Sequence, residues 1–136
     1  MADEAKIVTL LGNAGNPVEY DIADGTAIPK GSLMVFDSSP GIIKISAAAG
    51  DFFCGIANCE KKALDGKTKM AVITKCIAEI KTKIGGSAVL GKPVKIDGVN
   101  LVDPATDDTV AGQTLAVAQS LETLGASVYG EMFVNV

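Results

Sequence analysis

The sequence predicts an all-β fold, a small sandwich or barrel. Three observations carry that expectation. Short, β-branched, partly alternating runs recur along the chain: "SLMVFD" (32–37), "GIIKIS" (41–46), "KMAVIT" (69–74), "CIAEIKT" (76–82), "KPVKID" (92–97) and "EMFVNV" (131–136). Turn-forming clusters separate them: "SSPG", "LDGKT", "IGG", "IDGVN" and "VDPATDD". Finally, 48% of the 136 residues are apolar but only 4% are aromatic, with no Trp, so the core is built from Val, Ile, Leu and Ala. A chain of this length buries roughly 68–70% of its unfolded surface and folds as one compact domain without staples.

Taken in order, the chain opens with "KIVTLL" (6–11), strand-like and apolar, followed by the flexible "GNAGNP". Residues 1–24 read as an N-terminal arm or edge strand, and 25–136 as the main β-rich domain. The arm either adds a strand to a neighbour's open sheet edge or completes the sheet of its own domain, and the sequence leaves both open. "NCEKKALDG" (58–66) and "AVAQSLETLG" (116–125) read as short helical turns or bulges. The second places Val117, Leu121 and Leu124 at helical spacing and stops at Gly125.

An internal duplication emerges when Gly25 is laid over Gly86 without gaps, an offset of 86 − 25 = 61. Ala27 then meets Ala88, Leu33 meets Val94, Val35 meets Ile96, and Val72 meets Phe133. The expected repeats are 25–82 and 86–136.

"GGSAVLGKP" (85–93) spells G-x-x-x-x-G-K from Gly86, but Pro93 stands where a phosphate loop needs Ser or Thr. Such a loop leads into a helix whose N-terminus and amides hold the phosphates. Here "KPVKID" alternates like a strand, and the repeat partner "GTAIPKGSL" lacks the motif, so the stretch is turn chemistry. "DGKT" (65–68) reads as a hairpin turn in the same way.

Composition narrows function. Net charge is −4 with no basic run, which argues against nucleic-acid binding. The absence of His removes the commonest general base and metal ligand, and no Ser, Cys, Tyr or acid pair forms a reactive constellation. No enzyme activity, cofactor or metal is expected. Asp103, Asp107 and Asp108 fit no calcium loop and read as a solvated turn. Lys61, Lys62, Lys67 and Lys69 read as solvated charge on a loop, with contact to an acidic protein surface as the alternative. Cys54, Cys59 and Cys76 read as small buried hydrophobes. No stretch spans a membrane, and Ile7–Leu11 is too short for a signal-peptide core, so the expected site of synthesis and assembly is a cytosol.

Four ordered stretches resemble the small head decoration, or capsid cement, proteins of tailed bacteriophages and related viruses. "GTAIPKGSLMVFD" is similar to that family's opening turn and strand. "GDFFCGIANCEKKALDGKTKMAVIT" is similar to its strand, Ala-rich bend, Gly turn and strand. "SAVLGKPVKID" and "LAVAQSLETLGASVYGEMFVNV" are similar to its second strand's opening and its closing segment. The resemblance covers roughly 22–136. It implies a β-tulip or barrel-like domain, and homotrimers that bind the major capsid protein on the capsid exterior and reinforce the shell, after assembly in the host cytoplasm. Lys6, Ile7, Val8, Thr9, Leu10 and Leu11 are then the capsid-binding arm. "TAIPKGSLM" also resembles small antifreeze-like β-clip domains that recognise sialic-acid-type ligands, which gives the alternative function: a sugar- or anion-binding module.

Overall fold

In a computed structural model the described residues are 3–10, 17–48, 51–104 and 116–135. They form strands and turns, with no helix among them. Strands β2 (Val18–Ile22), β3 (Leu33–Phe36), β4 (Ile42–Ile45), β5 (Phe53–Ala57) and β6 (Lys69–Ile73) close a five-stranded barrel in the order β2-β4-β3-β5-β6. β2 closes it, pairing parallel with β4 and antiparallel with β6. Strands β7 (Lys75–Thr82), β8 (Pro93–Ile96), β9 (Leu101–Pro104), β10 (Ala116–Ser120) and β11 (Tyr129–Asn135) form a second barrel, closed by the parallel pairing of β7 with β9. Closure removes the exposed edges that an open sheet would leave.

The two barrels are copies. Met34↔Ile45 and Phe36↔Ile43 in the first barrel match Val94↔Pro104 and Ile96↔Val102 in the second, a displacement of 94 − 34 = 60 for β3 and β8. The bulge where β5 crosses β3 recurs where β10 crosses β8, with Gly55 matching Ala118 (118 − 55 = 63). Even the isolated bridge Ile28↔Lys61 has its counterpart in Ala88↔Leu124.

The duplication expected from sequence is therefore present, with a different register. The offset of 61 set Leu33 on Val94, whereas the pairing sets Met34 there. A one-residue slip normally exchanges the inner and outer faces of a strand. Here it went undetected because both faces of β3 are buried: Met34 packs in one cluster, and Leu33 and Val35 pack in the other.

Each barrel spans one copy, β2 to β6 and β7 to β11, so β2 lies with the first barrel rather than in an arm ending at residue 24. β7, which the sequence attached to the first repeat, opens the second. Residues 116–120 are strand β10, not a helical turn, and 58–66 form a loop held by the bridge at Lys61.

One apolar cluster fills the first barrel: Ile22, Ile28, Met34, Ile43, Ile45, Cys54, Ala57, Met70 and Val72. The other unites the interior of the second barrel with Leu33, Val35, Phe53, Ile56 and Ile73 of the first. The flank of one barrel thus packs on its copy. Asn100, fully buried in the β8–β9 turn, ties the joint: its Oδ1 accepts the Leu33 N–H at 2.8 Å and its own N–H donates to Ser46 Oγ at 2.8 Å.

Candidate interaction surface

Strand β1 (Lys6–Leu10) stands outside both barrels. It pairs antiparallel with β7, from Lys6↔Glu79 to Leu10↔Cys76, with a bulge between Ile7 and Thr9. It is the terminal strand of its sheet, so its outer backbone edge has no strand partner among the described residues. Of the residues expected to form an arm, Lys6–Leu10 therefore sit on this chain's own sheet. Leu11 lies outside the described residues.

The approach to β1 is pinned at three points. The Ala5 N–H donates to the Gly31 carbonyl at 2.7 Å, Ala5 is buried in the shared core, and Lys81 Nζ pairs with Asp3 at 2.6 Å. Gly31 has φ +90°, and a Cβ there would overlap the Ala5 carbonyl oxygen. Only glycine permits that close approach. Beside it a cavity of about 450 Å³ is lined by Ala5, Lys6 and Ile7 together with Lys30, Gly31, Ala57 and Asn58 of the first barrel.

At the same end of the first barrel lies the least expected site. Lys61, expected as solvated charge, has no exposed side-chain surface. Its Nζ donates to Asp24 Oδ1 (2.8 Å), the Asp24 carbonyl (2.9 Å), the Lys62 carbonyl (2.9 Å) and Asp65 Oδ1 (2.9 Å). Burial works to lower the Lys61 pKa, but the hydrogen bonds to Asp24 and Asp65 outweigh it and the net direction is upward. Asp65, hydrogen-bonded by Lys61 and by the Lys67 and Lys62 N–H groups, falls from its ordinary 3.8 to about 2. Both partners are held charged, so the cluster is a structural clamp. Leu124 occupies the matching place in the second barrel, and Asp65 lies in an insertion the second barrel lacks.

The remaining sequence candidates separate. The stretch 85–93 is a bridge at Ala88, a turn and then strand β8; it matches residues 25–33, and both turns repeat one hydrogen bond, Ser32 N–H to Pro29 and Lys92 N–H to Val89. Asp103 lies 3.7 Å from Lys83, while Asp107 and Asp108 fall outside the described residues. Burial pushes the Cys54 thiol up to about 12 and Cys76 up to about 11, so both stay protonated and unreactive. Cys59, by contrast with the expectation, is exposed. Sequence reasoning missed Asp24, Asp65 and Asn100. None of the three carried a local signal: the gapless repeat ran straight through Asp65, and the insertion there emerges only from the strand pairing.

No protein-family model matches this chain. No curated protein sequence matches it either. Among solved structures it is similar to the head fiber gp8.5 N base of bacteriophage phi29, at 15% identity and a TM-score of 0.56. The match covers 88% of this chain and 95% of that one, and at this identity what the two share is the two-barrel fold.

Proposed function

We propose that this chain is a head-associated structural protein of a tailed bacteriophage or related virus. It seats as a homotrimer on the outer surface of the major capsid protein shell and stabilises it. The observation that carries the reading is the fold shared with a phage head fiber base over nearly the whole of both chains. The surface supports it. The edge of Lys6–Leu10, unpaired among the described residues, suits strand addition by a neighbour, and the charged groups of the Lys61 clamp are locked in structure. Three copies bound together add avidity to a modest single contact.

The test is sedimentation of the purified chain with emptied heads from the virus that encodes it, with molar mass measured by light scattering. The expected result is a trimer that pellets with heads and raises their thermal disruption temperature. A chain that stays in the supernatant at saturating heads overturns the reading.

A further inference from the structure

The duplication shows where something is missing. In the second barrel, the end formed by the start of β7 and the finish of β8 is sealed: Ala78, Ile80 and Ile96 are each fully buried. What seals it is the flank of the first barrel, Leu33, Val35, Phe53, Ile56 and Ile73, with Ile7 of β1 at its margin. The matching positions of the first barrel are Val18, Tyr20 and Phe36, by the same displacement of 60 (78 − 18, 80 − 20, 96 − 36). There Val18 is 40% exposed and Phe36 45%, and Phe52, whose carbonyl accepts the Phe36 N–H at 3.0 Å, is 57% exposed. The Tyr20 and Phe36 rings meet edge to face at 5.6 Å. Three of the chain's six aromatic residues thus gather at an open barrel mouth.

The covered mouth shows which surface fits the open one: the apolar, β-branched face of a strand pair. Among the described residues the corresponding face of the second barrel is less apolar. On the second barrel the positions matching Leu33, Val35 and Ile56 are Pro93, Lys95 and Gln119, of which Pro93 and Gln119 are exposed. In a second copy the sealing flank is already buried against its own second barrel. We infer that the mouth at Val18, Tyr20, Phe36 and Phe52 is a docking surface for an apolar strand face of a different protein. On the reading proposed above, on which this identification rests, that protein is the capsid shell subunit. Buried aromatic anchors carry a disproportionate share of interface energy, so this mouth is the energetic centre of the contact.

The test compares the full chain with Phe36→Ser and Phe52→Ser. Neither side chain belongs to a core cluster, and melting temperatures verify folding. Each variant is titrated onto emptied heads by sedimentation and sized by light scattering. The expected result is an affinity loss of about tenfold or more for each variant, with oligomeric state unchanged. Equal binding by both folded variants, while the parent chain still binds heads, overturns the inference and leaves the proposed function standing. Dissociation of the oligomer by either variant also overturns it, because the mouth is then filled by a second copy. A parent chain that does not bind heads overturns both.

Discussion

At the residue scale, the Lys61 clamp is expected to contribute to the acid sensitivity of the fold. The folded pKa of Asp65 is about 2 against an ordinary 3.8, so its contribution is complete above about pH 4 and is lost as pH falls towards 2. Lys61 has a raised folded value, so its contribution holds through neutral pH and disappears only on the strongly alkaline side. Asp65→Asn is therefore expected to melt several degrees lower at pH 7 and to flatten the fall in melting temperature between pH 4 and pH 2, as read by circular dichroism. Gly31 and Gly91 offer a paired test. Both have positive φ, and alanine costs each about 1–3 kcal/mol in backbone strain. Only Gly31 also lies against Ala5, so Gly31→Ala is expected to lose more stability and to remove hydrogen-exchange protection from those alternate β7 amides within 76–79 that face β1, while those facing β11 stay protected.

At the scale of elements, the barrels diverge in how they plug the same end. The first has Lys61 in the bridge to Ile28, and the second has Leu124 in the bridge to Ala88, against Gly130, where a Cβ would overlap the Leu124 side chain. Gly130→Ala is expected to destabilise by about 1–3 kcal/mol through overpacking. Leu124→Ala added to it is expected to be less harmful than the two losses summed, which a double-mutant cycle in denaturant measures. This divergence also explains what the sequence made legible. Strands such as "CIAEIKT" alternate because one face is buried, and that period is visible. β2 (Val18–Ile22) is mostly exposed and β9 (Leu101–Pro104) has a single buried position, so neither shows a clear period. β10 was masked because Val117, Leu121 and Leu124 fall at helical spacing by accident; Leu124 belongs to the bridge beyond the strand.

At the scale of the whole molecule, the joint between barrels decides cooperativity. One apolar cluster spans both, so the chain is expected to unfold in a single calorimetric transition. Asn100→Gly keeps the backbone at φ +58° accessible but strips the buried Leu33 N–H of its acceptor, an expected loss of about 1–3 kcal/mol in chemical denaturation. The candidate site was less legible than the fold. Lys61 sits among "EKKALDGK", where local composition reads as solvent-facing charge, and its burial depends on Asp24, which is remote in sequence. The open mouth is equally nonlocal: Ile96 is buried in the cluster that joins the barrels, whereas its counterpart Phe36 is exposed.

Electron microscopy of intact virus particles tests the account most directly. The two-barrel body is expected on the outer shell, in threefold clusters, with Phe36 and Phe52 turned onto a shell subunit. Particles that lack this body, or carry it with that aromatic mouth facing solvent, contradict it.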